Sequence, residues 1–201
     1  PSVTARVPIV VGRDDRYFHD SFQAMPADGY TALFERMLDH PNITIRLGTA
    51  FEPPPAPIKG TRIIYTGPID AFFGHRFGRL PYRSLRFEAV TVASPHAQAA
   101  AIVNFPETGV PYTRITDMKQ LSGQSTAHST LVFEYPQPYA AQHNEPYYPI
   151  PRDENQTLLN RYLDLAQTRD DVVICGRLGA YKYYNMDQAI GAALAVFGRL
   201  R

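Results

Sequence analysis

VVICGRLGAYKYYNMDQAIGAALAVF, residues Val172 to Phe197, is the stretch from which the fold is read. It divides into three parts. VVIC is a β-branched apolar run with the composition of a buried strand. GRLGAYKYY, residues 176–184, is a loop with two glycines, two cations and three tyrosines. NMDQAIGAALAVF has the pattern of an amphipathic helix, with Met186, Ile190, Ala193, Leu194 and Phe197 on one stripe. Asn185 stands at its N-cap and Gln188 follows three residues on, the spacing of a capping box. The first-turn N–H groups of such a helix have no intrahelical partner, and the helix dipole favours negative charge there. Strand, glycine loop and helix start therefore predict an anion or cofactor site, with Arg177 and Lys182 adding formal charge.

Working outward, the 201 residues suffice for one large domain or two small ones. Twenty basic residues balance nineteen acidic ones, which removes an electrostatic case for nucleic acid or an anionic membrane. No apolar run approaches the roughly 20 residues of a membrane span. The opening PSVTARVPIVV lacks the apolar region and small-residue cleavage site of a secretory leader, and its initial proline hints at residues removed or not included upstream. The single Cys175 excludes an internal disulfide and reads as a small buried hydrophobe, so the expected compartment is the cytosol. Eighteen prolines favour turns and strand ends over a helical bundle.

Strands are expected at Val7 to Val11, Ile43 to Leu47, Arg62 to Tyr65, Ser84 to Val92, Ala99 to Phe105, residues 129–136 and Val172 to Cys175. EPYYPIP, residues 145–151, must be extended because proline brackets the two tyrosines. Besides the C-terminal helix, one helix is expected from Asp28 to about Asp39 and one from Asp153 to about Thr168, each capped by its aspartate. The central strands follow one another without a helix between them, which favours antiparallel pairing. The expected class is α+β (mixed): a largely antiparallel sheet, with the C-terminal strand–loop–helix in a second layer. The expected divisions are residues 1–27, 28–66, 67–151 and 152–201.

The chain contains no GxGxxG, no Walker loop and no nucleophile elbow, and its six histidines have no metal-ligand spacing. What recurs is tyrosine and arginine in proline-marked loops: Arg114 in PYTR, Tyr147 and Tyr148 in PYYP, and Arg177, Tyr181 and Tyr183. Arginine offers a planar fork to phosphate oxygens and tyrosine a neutral donor, a set suited to a diphosphate. The same residues also suit plain packing and arginine–carboxylate pairs. Asn104 either reads a sugar hydroxyl or is a polar edge residue, and Asp187 suits the first-turn dipole.

The segments DDRYF (14–18), MPADGYTALFERML (25–38), YTGPIDAFF (65–73), GRLPYRSLRFE (78–88), VPYTRIT (110–116), EPYYPI (145–150) and GRLGAYKYYNMDQAI (176–190) together resemble the UDP-galactopyranose mutase family, in the family's order. The resemblance implies a flavoenzyme interconverting UDP-galactopyranose and UDP-galactofuranose, with reduced FAD attacking the anomeric carbon through N5 while UDP leaves and returns. It implies Arg114 as the catalytic arginine on the diphosphate, and Asn104, Tyr148, Tyr183, Asn185 and Phe22 as substrate-binding residues. It implies Arg83, Arg177, Leu178, Gly179, Tyr181 and Met186 as flavin contacts. In its terms the antiparallel sheet binds substrate and the C-terminal layer belongs to an FAD domain.

Three departures accompany the resemblance. The family's N-terminal GxGxxG segment for the FAD pyrophosphate is not in this sequence. Val10 stands where the family has a second diphosphate arginine, with Arg13 out of register. Asn185 stands where the family has an aspartate. The chain then corresponds to a fragment of a mutase, or to a short sugar-nucleotide-binding relative. Its implied partners are the UDP-sugars and either a second copy or a chain carrying the N-terminal FAD segment.

Overall fold

The structure is a computed structural model that describes residues 29–200; Val10, Phe22, Asp28 and the Val7 to Val11 stretch lie outside the described residues. Two compact units are present. One holds residues 29–49 and Arg86–Tyr135, the other Ala50–Leu85 and residues 136–200.

In the first unit, helix α1 spans Gly29–Leu38. Its apolar Phe34 and Met37 are more than half exposed. Ile43 to Leu47 forms no strand. The alternation is present, but among the described residues no ladder partner pairs with it, and Leu47 is 87% exposed. A strand needs a neighbour to satisfy its backbone groups.

Strand β1 is Ile63–Tyr65, helix α2 Ile69–Phe72, and β2 Tyr82–Val92. Strands β3 (Ile102–Asn104) and β4 (Arg114–Asp117) precede helix α3 (Met118–Ser122). Strand β5 is Ser129–Pro138 and β6 is Tyr148–Pro149. Helix α4 (Asp153–Gln167), β7 (Val172–Ile174), α5 (Gly176–Gly179) and α6 (Met186–Leu200) complete the chain. The hydrogen-bonded order of the larger sheet is β3-β4-β5-β2-β6, antiparallel at β3–β4, β4–β5 and β2–β6. Strands β1 and β7 form a separate parallel pair. The α+β class with an antiparallel sheet and a C-terminal layer is thus observed.

Three short helices were not anticipated: α2, α3 and α5. Helix α3 starts because the buried Asp117 carboxylate accepts from the Lys119 N–H (3.2 Å), and it stops at Gly123, whose φ of +69° suits only a residue without a Cβ. Helix α5 occupies the GRLG part of the loop in the opening stretch. Asp153 is the first helical residue of α4 rather than its cap. Arg152 takes the cap position without a side-chain bond, and Asp153 and Glu154 face the dipole instead.

The core of the second unit gathers Ile69, Leu80, Tyr82, Leu159, Tyr162 and Tyr181. Tyr162 is fully buried, donates to the Gly78 carbonyl (2.6 Å) and accepts from the Phe77 N–H (3.0 Å), which fixes the loop before β2 on α4. A second clamp holds the proline-rich connector. Arg169 forks onto the Asp171 carboxylate at 2.7 and 2.8 Å and donates to the Pro54 carbonyl (3.3 Å), while Asp171 also accepts from the Ile58 N–H (3.3 Å). The Arg169 fork holds the Asp171 carboxyl below the usual carboxylate range. A carboxyl with a depressed folded-state pKa contributes stability above its unfolded pKa, about 3.9, and that contribution disappears as pH falls through the folded value. Urea unfolding of Arg169→Met is therefore expected to give a lower midpoint than wild type at neutral pH. The deficit is expected to narrow as pH falls below about 3.9; a deficit independent of pH would show that the pair does not contribute in this way.

Candidate functional site

Two polar groups concern the predicted site residues, one in each unit. In the first unit, the register aligns Asn104 with Arg114 and Arg114 with Glu134. Directly paired residues project from the same face of an antiparallel sheet, so the three form one cross-strand row. The Arg114 Nε donates to Asn104 Oδ1 (3.0 Å), and its Nη1 lies 3.7 Å from Glu134 Oε2. Thr113 donates to the Glu134 carbonyl (3.3 Å). The Arg114 side chain is 35% exposed and that of Glu134 only 14%. The row thus presents a guanidinium aimed by an amide on one side and a sheltered carboxylate on the other.

Glu134 was not anticipated. The signal was available: one charge in the otherwise apolar and aromatic run LVFEY, residues 131–135. What the sequence could not supply was the register that sets it opposite Arg114.

In the second unit, β2 and β6 align Arg83 with Tyr148, and the Tyr147 N–H donates to the Arg83 carbonyl (2.9 Å). Helix α5 carries Arg177, whose Nε and Nη2 both donate to the Tyr184 carbonyl, the former at 3.1 Å. That fork curls residues 177–184 into a closed loop. Tyr183 then stacks on Tyr148 with ring centres 5.2 Å apart and planes 21° from parallel. The Arg177 guanidinium carbon lies 5.1 Å from the Tyr148 ring centre and 5.3 Å from that of Tyr183. A cation beside two aromatic rings is held by their quadrupoles as well as by its hydrogen bonds. Tyr183, Lys182, Asn185 and Met186 are exposed around it.

The remaining predicted residues support this loop. Leu178 packs on the core, and Gly179 is buried where a Cβ would stand 3.0 Å from Ile174 Cγ2 and 3.3 Å from the Tyr65 carbonyl. Only glycine allows α5 to approach β1 and β7 this closely. Tyr181 is 3% exposed. Asn185 begins α6: its N–H donates to Gln188 Oε1 (2.9 Å) and its carbonyl accepts from the Ala189 N–H (2.9 Å), the reciprocal half of the capping box.

The α6 stripe forms but faces outward, with Ile190 61% and Leu194 65% exposed. Among the described residues no cluster of histidine, cysteine and carboxylates has the arrangement of a metal site, and no helix is long and apolar enough to cross a membrane.

A buried polar hub that sequence reasoning did not single out lies at the start of β2. Asp70, 2% exposed, accepts from the Leu80 N–H (3.0 Å) and the Tyr82 hydroxyl (3.4 Å) and lies 3.1 Å from His75 Nδ1. Arg79 Nη1 is 2.9 Å from His75 Nε2, so the neutral ring carries its proton on Nδ1, toward Asp70. Burial, together with the Asp70 charge, pushes the Tyr82 hydroxyl far above its ordinary pKa and keeps it a neutral donor.

Comparisons with known proteins give matches over most of the chain. A family model described as UDP-galactopyranose mutase matches residues 1–183. A probable UDP-galactopyranose mutase of Klebsiella pneumoniae is 37% identical over 96% of this chain and 50% of its own length. A dTDP-fucopyranose mutase of Escherichia coli is 31% identical over 96% of this chain and 52% of its own, and a UDP-galactopyranose mutase of Mycoplasma pneumoniae is 35% identical over 97% and 52%. A crystal structure of reduced UDP-galactopyranose mutase superposes with a TM-score of 0.53, at 18% identity, over 69% of this chain and 42% of that one; this likeness concerns the fold. The chain spans about half the length of the curated relatives it matches.

Proposed function

Because this chain belongs to the UDP-galactopyranose mutase family, we propose that it is the substrate-binding and C-terminal portion of a flavin-dependent mutase that interconverts UDP-galactopyranose and UDP-galactofuranose. The observation that carries this reading is the Arg177–Tyr148–Tyr183 cluster. It gathers one cation and two phenols, all drawn from the segments that resemble the family, with Tyr183 exposed on the loop and Tyr148 and Arg177 half-buried beside it. Tyr148 and Tyr183 offer neutral hydroxyl donors to diphosphate oxygens. In the other unit Arg114, oriented by Asn104, offers a charged fork suited to phosphate oxygens and is assigned to stabilising the charge that UDP acquires on leaving. Asn104 is exposed beside Arg114 and is assigned to the sugar nucleotide.

The donor set also fits an FAD. Arg83 is exposed, and Arg177 retains Nη1 beyond the two nitrogens committed to Tyr184. The exposed Met186 would flank the group as well. Reduced FAD, when bound, supplies the nucleophile for the anomeric carbon. The residues of this chain bind, orient and hold UDP nearby for its return. Asn185 can donate or accept a hydrogen bond but carries neither charge nor transferable proton, so it is assigned to positioning rather than to acid–base chemistry. UDP-galactose and UDP-galactofuranose are the proposed ligands, a cytoplasmic location and a homodimer the proposed setting.

Calorimetric titration with UDP and UDP-galactose, together with the visible spectrum of the purified protein, tests the reading. Heat of binding for both nucleotides is expected, with a yellow flavin spectrum where the FAD segment accompanies the chain. Absence of binding to either nucleotide would contradict it.

A further inference from the structure

We infer that Tyr181 is a positioning residue for the Arg177–Tyr148–Tyr183 cluster: its buried hydroxyl fastens the loop that carries Tyr183 to the strand pair that carries Tyr148. The inference rests on the sugar-nucleotide reading of that cluster. Its basis is the geometry of one side chain that bonds to both partners of a β pairing.

The Tyr181 hydroxyl lies 2.6 Å from the Pro81 carbonyl, 3.1 Å from the Ile150 carbonyl and 3.3 Å from the Ile150 nitrogen. A hydroxyl has one proton, which the shorter distance assigns to Pro81, while the Ile150 N–H donates back to the oxygen. Pro81 immediately precedes β2 and Ile150 immediately follows β6, so the two bonds hold the end of the rung formed by Tyr82 and Pro149. The next rung pairs Arg83 with Tyr148. The Tyr181 ring meets Tyr82 edge to face, with centres 5.3 Å apart, inside the core. The ring therefore stays in place even without its hydroxyl.

The backbone at Tyr181 is turned as well. Its φ is +51°, the left-handed region that side-chain-bearing residues rarely adopt. The Tyr181 N–H donates to the Leu178 carbonyl (3.2 Å) and the Lys182 N–H to the Arg177 carbonyl (3.0 Å), ending α5. This reversal, two residues before Tyr183, returns the chain so that Tyr183 stacks on Tyr148. Anchoring the reversed residue by its hydroxyl fixes where the exposed phenol stands. A binding group held by a locked support binds its ligand without first being ordered.

The test compares UDP titrations of the wild-type chain with Tyr181→Phe, Tyr183→Ala and the double variant, alongside melting curves and near-ultraviolet circular dichroism. Wild type is expected to bind UDP. Tyr181→Phe is expected to bind about five- to tenfold more weakly, the effect of one hydrogen bond, with a weakened near-ultraviolet signal from the stacked tyrosines. In the Tyr183→Ala background, Tyr181→Phe is expected to change UDP affinity little further, because its influence passes through Tyr183. Wild-type binding with unchanged affinity in Tyr181→Phe would overturn the inference, even if the melting temperature fell, since that is the signature of a purely structural tyrosine. A full Tyr181→Phe loss persisting in the Tyr183→Ala background would overturn it too. Failure of the wild-type chain to bind UDP would instead remove the sugar-nucleotide reading beneath it.

Discussion

Replacing Arg114 by alanine is expected to lower UDP affinity by about tenfold to a hundredfold, corresponding to the roughly 1.5–3 kcal/mol of a hydrogen bond to a charged group. The expectation follows from the row on the sheet. Asn104 holds Nε at 3.0 Å and Glu134 stands 3.7 Å from Nη1, so the fork is oriented before any anion arrives. Alanine removes the cation and leaves the sheltered Glu134 carboxylate, which repels an incoming diphosphate. The loss therefore has two parts of the same sign. Arg114→Lys restores charge but not the planar fork, and is expected to recover only part of the affinity. The Arg114–Glu134 pair is partly exposed and loosely spaced, so the fold is expected to survive both substitutions. Calorimetry with UDP, paired with a urea melt, separates the two effects. Unchanged affinity in a folded Arg114→Ala chain would mean that this row takes no part in binding the nucleotide.

Replacing Asp70 by alanine is expected to cost about 2–4 kcal/mol of stability, because it leaves buried donors without an acceptor. The Leu80 N–H and the Tyr82 hydroxyl both lie inside the core of the second unit, and the His75 ring loses its partner as well. Asp70→Asn preserves the volume and one acceptor oxygen, but its amide group opposes one of the remaining donors. It is expected to fall between wild type and alanine. Urea midpoints check the order. Equal midpoints for wild type and Asp70→Ala would show that the hub contributes nothing to the fold.

The parts of the fold legible in the sequence were those written in local chemistry. VVIC, the two long helices and the proline-bracketed PYYP segment matched their elements closely, because β-branching, helical spacing and missing N–H groups act over a few residues. Ile43 to Leu47 shows the limit of such signals. Period-two alternation says which side chains share a face, but a strand also needs a neighbour. Glycine content alone did not separate a loop from the single helical turn at Gly176–Gly179, whose formation depends on the close approach to β1 and β7.

The site divides in the same way. Arg114 with Asn104, and Tyr148 with Tyr183 and Arg177, were named from sequence, and each set proves to be in contact within its own unit. Glu134 and Asp70 were missed, since a carboxylate's role depends on what the register or the core sets beside it. Tyr181 was grouped with the other loop tyrosines. Its left-handed φ and its bonds to Pro81 and Ile150 put it in the core, a distinction that no composition of the loop contains.

The account as a whole meets its most direct test in turnover. The protein in its full length, loaded with FAD and reduced with dithionite under anaerobic conditions, is to be incubated with UDP-galactofuranose and the nucleotide sugars separated by chromatography. The account predicts UDP-galactopyranose as the product, with little or none when the dithionite is omitted. Unchanged UDP-galactofuranose, with FAD demonstrably bound and reduced, would contradict it.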